Sequence, residues 1–391
     1  MVRGRPCRVV VAPDKFKGSL AAPGVAAAVA AGIARVVPDA EIRQVPVADG
    51  GDGTVDAFVA AGWERVWVDT VGPTAETSAG SYAVQANTAL IELAEAVGLV
   101  KLPAGRRAPM EASTYGLGVL IRHALDHGFR DIVLGLGGSA STDGGAGLLQ
   151  ALGLRILDAD GCELPRGAAA LVNAHTVDYS GLHPAIRETQ FVLASDVDNP
   201  LLGPHGAAAV FAPQKGASPQ QCEELELALT RWACVVERSA GTYTGAPAAG
   251  GQDAPRYAER PGAGAAGGTG FGTMAVLGAR PRSGIEVILE LIDFADQLHG
   301  AQLVVTGEGA LDEQTLRGKA PAGVAAAAGA AGVPVVAVAG RCTLSSKQLR
   351  AAGLARCYRL TDLESDPARS IAHAADLLED LGAGIATDYL R

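Results

Sequence analysis

Five clusters of glycine, hydroxyl and charged residues carry the chemistry available to this sequence, and each follows an apolar run that reads as a β-strand. Strand ends are where an open α/β sheet gathers its ligands. In the first cluster, Pro13 to Ser19 after the run Arg8 to Ala12, an extended loop points Lys15 and Lys17 the same way. Two neighbouring ammonium groups repel unless an anion lies between them, so a phosphate or a carboxylate fits there, and a solvated basic loop is the plain alternative. In the second, Ala48-Asp49-Gly50-Gly51-Asp52-Gly53-Thr54, the glycines let backbone amides approach an anion. Asp49 and Asp52 could hold a cation, or Asp52 could cap the following helix.

The third cluster is the richest. The run Asp131 to Leu134 enters Gly135 to Gly147, which holds Gly137, Gly138, Ser139, Ser141, Thr142 and Asp143. A glycine-rich turn opening a helix offers free N–H groups and a positive helix end to an anion. Gly135-x-Gly137-x-x-Ala140 also fits the dinucleotide fingerprint, but no strand-borne acid follows about twenty residues later. In the fourth cluster, after Phe191 to Ala194, Asp196 and Asp198 alternate onto one side of an extended chain. They could share Mg²⁺, or one could take a proton from a hydroxyl, with an Asx-turn as the alternative. Lys215 lies a little further on, in Phe211 to Gly216. The fifth cluster, Gly307 to Lys319 after Leu303 to Thr306, contributes Glu308, Asp312 and Lys319 but is no Walker A motif. A second Gly-x-Gly-x-x-Gly, within Gly262 to Gly272, follows no strand and reads as flexible; Gly264 and Thr269 could instead touch phosphates through the backbone.

Taken together, glycine-rich turns with interspersed lysines suit phosphoryl transfer, in which catalysis is mainly positioning and charge neutralisation. The seven histidines show no metal or triad spacing, and no Gly-x-Ser-x-Gly elbow supports acyl transfer. Six scattered cysteines lack a C-x-x-C pair, which argues against a zinc site or a disulfide framework. The net charge of −10 and the lack of a basic block argue against a nucleic-acid or membrane-surface partner. Apolar runs such as Val25 to Val37 fall short of the roughly 18 residues of a membrane span. The first residues lack a signal peptide's apolar stretch, so a cytoplasmic protein is expected.

The elements that must position these clusters alternate between β-rich and Ala-rich runs, an α/β pattern. Strands are expected at Arg8 to Ala12, Ile42 to Val47, Glu64 to Asp69, Ser81 to Gln85 and Ala89 to Glu92, with helices at Pro23 to Val37, Asp52 to Ala61, Tyr115 to Asp126 and Pro219 to Ser239. The last is opened by a capping box at Ser218 to Gln221. Ala240 to Gly268 reads as a long mobile segment. From Ser283 the early texture returns: a helix at Ile285 to Phe294, a strand at Leu303 to Thr306, a helix at Ala320 to Ala331 and a strand at Val335 to Ala339. Near-continuous apolar strands at both ends point to one discontinuous parallel-sheet domain, 1–70 and 283–391, interrupted by an inserted mixed α/β domain, 71–282.

Ala12 to Leu20, Pro46 to Thr54, Gly135 to Gly147, Asp198 to Leu201, Ala212 to Ala217, and Thr306 to Gly309 with Gln314 to Lys319 resemble the type I bacterial glycerate kinases, in the same order across nearly the whole chain. The resemblance implies phosphorylation of D-glycerate by ATP with Mg²⁺, commonly to 2-phosphoglycerate. It also implies a flavodoxin- or Rossmann-like discontinuous domain with an inserted one, and an active site in the cleft. Charge logic then suggests roles. Lys15, Lys17, Ser139 and Ser141, with Thr142, Asp143 and Lys215, are candidates for holding glycerate. Asp196 is the candidate base, Lys319 faces the transferring phosphoryl, and Asp198 and Asp312 serve a metal. Asp49, Asp52, Gly137, Gly138, Gly264, Thr269 and Glu308 form the candidate nucleotide set. The Ala/Pro-rich stretch Gly241 to Pro261 and Ala21-Ala22-Pro23 depart from the family pattern outside the motif cores. The rivals are an NAD(P)-dependent oxidoreductase of a small hydroxy acid, a galactokinase-type kinase and a non-enzymatic sugar-acid-binding protein. A homo-oligomer is compatible with any of these.

Overall fold

A computed structural model describes residues 7–103, 105–244 and 256–391. The strands are β1 Arg8–Pro13, β2 Glu41–Gln44, β3 Glu64–Val71, β4 Thr77–Gln85, β5 Thr88–Glu92, β6 Asp131–Gly135, β7 Arg155–Leu157, β8 Thr176–Asp178, β9 Gln190–Ala194, β10 Arg280–Arg282, β11 Leu303–Leu311, β12 Val335–Cys342 and β13 Leu354–Arg359. The chain divides into two compact units. The first comprises the residues up to Asp49, Asp56–Gly62 and Ser283–Arg391; the second comprises Gly50–Val55 and Trp63–Arg282.

The first unit is built on a five-stranded, wholly parallel sheet in the order β13-β12-β11-β1-β2. Counted along this unit alone, that is the flavodoxin-like order 2-1-3-4-5, with its switch point between β1 and β11. Val9, Val10, Val11, Val304, Val305 and Val336 to Ala339 are fully buried, as a parallel sheet covered on both faces requires. On one face the helices Ala22–Val36 and Ala374–Tyr389 lie against each other. Their contact is backbone to backbone: a Cβ on Gly32 would fall 1.9 Å from the Glu379 carbonyl oxygen, and one on Gly382 2.4 Å from that of Val29. Val25, Val29, Ile33, Leu378 and Ile385 fill the space above the strands, and each fully buried side chain contributes about 1.5–3 kcal/mol.

The second unit carries a six-stranded mixed sheet, β10-β9-β6-β5-β4-β3, in which β10, β9, β6 and β5 run parallel and β4 alone is reversed, pairing antiparallel with both β5 and β3. β7 and β8 form a separate antiparallel pair. The helix Tyr115–Asp126 falls where the apolar spacing predicts it, with Leu117, Leu120, Ile121 and Leu125 facing the core. The long helix Pro219–Thr244 opens on the expected reciprocal cap, Gln221 N donating to Ser218 Oγ (3.2 Å) and Ser218 N to Gln221 Oε1 (3.0 Å). It buries Trp232, whose Nε1 donates to the Gly144 carbonyl at 3.0 Å.

Several elements differ from the sequence reading. β11 continues through the glycines to Leu311, because Glu308 stays in register with Ala339 and Ala310 with Arg341 on β12. The run Ile285 to Phe294 is two helices, Gly284–Leu291 and Phe294–Gln297, broken where Asp293 turns left-handed (φ 47°). Within the segment expected to be mobile, 245–255 lies outside the described residues. Gly262 to Gly272, read as flexible, is packed and almost wholly buried. A Cβ on Gly264 would fall 2.3 Å from the Pro200 oxygen and one on Gly270 2.0 Å from the Gly262 oxygen, so these glycines serve close packing. Among the described residues no helix is long and apolar enough to cross a membrane.

Candidate functional site

In the first unit the switch point gathers charged groups. Asp14 directly follows β1, its N–H donating to the Gly307 oxygen (2.8 Å) and its own Oδ1 accepting from Lys15 N (2.6 Å). Its side chain is buried, and burial, reinforced by the charges of Asp49 and Glu308 and opposed by Lys15, pushes its carboxyl up to about 7. Glu308, near the end of β11, accepts from the Thr315 hydroxyl and lies 3.7 Å from Lys319 Nζ. Burial raises its pKa, with Asp49 and Asp312 adding to the rise and Thr315 and Lys319 opposing it. Lys319 occupies the N-cap of the helix Ala320–Ala330, so its ammonium and that helix's first N–H groups belong to one strand-to-helix turn. The result is a set of carboxylates in excess of the cations beside them, a charge imbalance that a bound cation would relieve.

Lys17 is not on an extended segment as expected. Ser19 N donates to the Phe16 oxygen (2.9 Å), closing a turn with Lys17 and Gly18 (φ 80°) at its corner, and Lys17 is exposed while Lys15 is half-buried. Asp312 takes the Asx-type arrangement, its Oδ1 accepting from Gln314 N at 2.8 Å.

In the second unit the carboxyl ends of β5, β6 and β9 meet the loop Gly50 to Gly53. Glu92, the last residue of β5, accepts from Gly53 N (3.0 Å) and Val55 N (3.1 Å). Burial, with Glu95 and Asp52 adding to it against those two N–H donors, lifts its carboxyl to about 8. The glycines of the two loops are packed on one another. A Cβ on Gly135 would meet the Gly50 oxygen at 2.5 Å, one on Gly137 the Gly51 Cα at 2.3 Å, and one on Gly138 (φ 70°) Asp52 Oδ1 at 2.6 Å. The fingerprint-like spacing of Gly135 and Gly137 therefore has a packing cause.

Beyond these glycines, residues 139–147 form a densely bonded turn. Ser139 Oγ lies 3.1 Å from Ser141 Oγ, 3.2 Å from the Ser141 oxygen and 3.4 Å from the Ala266 oxygen, and accepts from Ser141 N (3.2 Å). Asp143, fully buried, accepts four hydrogen bonds: from Thr114 N (2.8 Å), Thr114 Oγ1 (2.9 Å), Gly147 N (3.2 Å) and Gly145 N (3.2 Å). Burial raises its pKa against the pull of those donors. Lys215 is also buried and donates from Nζ to the Ser141 oxygen; burial, opposed by Asp143, brings its pKa down to about 7.

The left-handed residues Ala266, Gly267 and Gly268 complete this surround. A Cβ on Gly267 would fall 2.1 Å from the Ser141 oxygen and 2.8 Å from Lys215 Nζ, so only glycine lets the two segments and the lysine share the space. Thr142 Oγ1 is buried without a hydrogen-bond partner. Thr269 Oγ1 donates back to the Ala266 oxygen (2.8 Å), and Gly264 N to the Asn199 oxygen (2.9 Å). Asp196 and Asp198 are exposed on the loop after β9, whose Ser195 N donates to the Arg282 oxygen (3.1 Å).

The comparisons with known proteins fit this arrangement. The model of the glycerate kinase family matches residues 9–390. A glycerate kinase of Bacillus subtilis (strain 168) is 39% identical over 382 residues, 97% of each chain. The chain belongs to the glycerate kinase family. A glycerate 2-kinase of Escherichia coli (strain K12) is 42% identical over 341 residues, 86% of each chain. The crystal structure of a candidate glycerate kinase 2 from Salmonella typhimurium LT2 superposes with a TM-score of 0.82 at 38% identity, covering 98% of both chains. As a member of this kinase family the protein is an enzyme, a phosphotransferase with an alcohol group as acceptor.

The structure thus brings Lys15, Asp49, Glu308 and Lys319 to the carboxyl end of one sheet. It brings Ser139, Ser141, Thr142 and Asp143 into one turn in the other unit, with Lys215 reaching that turn from the short helix Pro213–Lys215. Asp198 and Asp312, expected to serve a metal, belong to different units, and among the described residues no three His, Cys, Asp or Glu side chains are placed to hold an ion. Two buried acids escaped the sequence reading, Asp14 and Glu92. Their signal is positional: each stands at the carboxyl end of an apolar strand, Asp14 just after β1 and Glu92 as the last residue of β5.

Proposed function

We propose that the protein phosphorylates D-glycerate with ATP and Mg²⁺, giving 2-phosphoglycerate. The observation that carries this reading is the alignment of nearly the whole chain with proteins named glycerate kinase, among them a glycerate 2-kinase. The nicotinamide alternative loses its one motif, because Gly135 and Gly137 are glycines for the sake of packing on Gly50 and Gly51.

Glycerate presents a carboxylate and two hydroxyls, so its site needs a cation, hydroxyl partners and a proton acceptor. In the second unit Asp196, exposed on the loop after β9, accepts the proton of the attacking hydroxyl, and Ser139, whose Oγ is bonded within the turn, would exchange one of those bonds for a substrate hydroxyl. Asp143 and Lys215, whose polar atoms are engaged inside the protein, hold that turn in shape rather than touch substrate. In the first unit Lys15 answers a carboxylate and Lys319 the phosphoryl in transfer, neutralising charge as the bond to the leaving ADP breaks. Mg²⁺ would be held by one or two of the carboxylates Asp14, Asp49 and Glu308, whose negative charges already act on one another, and completed by phosphate and water, the usual manner for this ion in kinases. When bound, the ion supplies charge neutralisation on the phosphate oxygens.

The test is ³¹P NMR of the product formed from D-glycerate and ATP. The coupling to a single C2 proton identifies 2-phosphoglycerate, whereas coupling to the two C3 protons identifies the 3-isomer and overturns the assigned position. Asp196→Asn is expected to lower kcat by about 10²–10⁴ as a lost general base; near-wild-type turnover would remove it from that role.

A further inference from the structure

The edge strand β3 has a property that the reaction does not use. β3 closes the mixed sheet, with β4 as its one strand neighbour, and among the described residues nothing pairs with its outer edge as a strand. It is eight residues long, and its residues alternate in accessibility. Val66 and Val68 face the core of the second unit, while Arg65, Trp67 and Asp69 lie on the other face. Trp67 is 64% exposed at the middle of the strand, with the Arg65 guanidinium 5.4 Å from its ring centre. Long exposed edges are templates for pairing with another chain, and proteins that remain monomeric blunt them with proline, bulges, charged side chains (lysine above all) or a covering helix or loop. This edge has no proline and no bulge, and its charges are of both signs.

We propose that β3 pairs with β3 of a second copy of this chain, antiparallel about a two-fold axis at Trp67, joining the two mixed sheets into one. The charge order selects both the occupant and the register. In a two-fold antiparallel pair centred on residue 67, Arg65 stands opposite Asp69 of the partner subunit, and this happens twice. On the other face Val66 stands opposite Val68 of the partner subunit, also twice, and the two tryptophans meet at the axis. Shifting the centre by one residue in either direction sets Arg65 opposite Trp67 or Val71 of the partner subunit and loses both Arg65–Asp69 pairs, so the register centred on residue 67 is the one that matches these charges. An isologous contact of this kind is closed and gives a dimer rather than a fibre. The Arg65 guanidinium donates to Ser81 Oγ on β4, the inner neighbour (3.2 Å), so pairing with Asp69 of the partner subunit requires the side chain to swing outward to the open edge.

Charge reversal and cross-linking test the proposal on the full-length enzyme, with circular dichroism confirming the fold of every variant. Sedimentation equilibrium is expected to show a wild-type dimer. Arg65→Asp and Asp69→Arg should each dissociate at least tenfold more readily, since each places like charges opposite one another. Mixing the two single variants should restore the dimer, because every facing pair is then opposite in sign. Trp67→Cys should form an intermolecular disulfide under mild oxidant, directly opposed antiparallel residues having Cα atoms about 4.5–5.5 Å apart. Asp69→Cys should not, since its own copy lies four residues away, roughly 14 Å along the strand; the wild type under the same oxidant reports any background from its native cysteines. A monomeric wild type, dimers indifferent to both reversals, or cross-linking through residue 69 instead of 67 would each overturn it.

Discussion

Asp143→Asn separates an ionised buried carboxylate from a protonated one. The side chain sits wholly inside the second unit with four donors around it and no acceptor. Three of the donors converge on Oδ2 and one on Oδ1, so an asparagine placed to keep the three must turn its NH₂ toward Gly145 N, 3.2 Å away. One buried N–H is then left facing another donor, at a cost of about 1–3 kcal/mol. For a unit of this size each kcal/mol lowers Tm by about 2–4 °C. Urea melts followed by tryptophan fluorescence, from Trp63, Trp67 and Trp232 of this unit, the last bonded to Gly144 beside the turn, give the difference directly. Asp198→Asn, an exposed control, should stay within about 0.5 kcal/mol of wild type. Burial pushes the Asp143 pKa up. If the folded protein held it protonated, its OH would already oppose Gly145 N and the substitution would cost nothing. Equal stability of Asp143→Asn and wild type would therefore refute the reasoning that four donors keep it charged.

Other expectations follow from the same geometry. Gly137→Ala puts a Cβ 2.3 Å from the Gly51 Cα, and thermal melts should show a loss of about 1–3 kcal/mol from overpacking, more if neither loop yields. Burial brings the Lys215 ammonium down to about 7, so above that pH the folded protein keeps it as the neutral amine, whereas its ordinary value is 10.5. The unfolded chain therefore binds the extra proton between those values, and Lys215 makes stability rise with pH there by roughly 1 kcal/mol per unit; Lys215→Met should flatten that limb. Glu92 acts with the opposite sign. Its folded value is about 8 against an ordinary 4.5, so the folded protein holds a proton the unfolded chain lacks, stability falls as pH rises between them, and Glu92→Gln should remove that fall in denaturant midpoints across pH. Lys319→Ala should lower kcat by about 10²–10³ with little change in the KM for glycerate, as expected when a charge acting on the transferring phosphoryl is lost; a change confined to KM would assign it to binding alone.

The central strands are legible because buried parallel strands are near-continuous apolar runs, as in Val9 to Val11 and Val335 to Ala339, whereas the edge strands β10 and β13, each carrying two arginines, have no such run and are absent from the sequence reading. The helix Tyr115–Asp126 was legible because its leucines repeat at helical spacing. The C-terminal helix Ala374–Tyr389 is absent from the sequence reading, although Ala374, Leu378, Leu381 and Ile385 repeat at helical spacing on its buried face; what only the fold shows is its backbone contact with Ala22–Val36 through Gly32 and Gly382. Gly262 to Gly272 reads as flexible for a different reason: glycines required by the close approach of neighbouring carbonyls look in the sequence like glycines required by motion. Polar residues were located better than they were interpreted. Asp143 and Lys215 were found as site residues from their type, but only the fold shows that their atoms are spent on Thr114, Gly145, Gly147 and Ser141. Asp14 was overlooked because an acid in a polar loop reads as solvated, whereas the strand end buries it beside Asp49 and Glu308.

The most direct test of the account is a coupled assay of ADP release with D-glycerate, ATP and Mg²⁺, run beside the same mixture without glycerate. The proposed function predicts ADP formation that requires glycerate and saturates with it. Folded protein that releases no ADP with glycerate, or releases it equally without, would contradict that function.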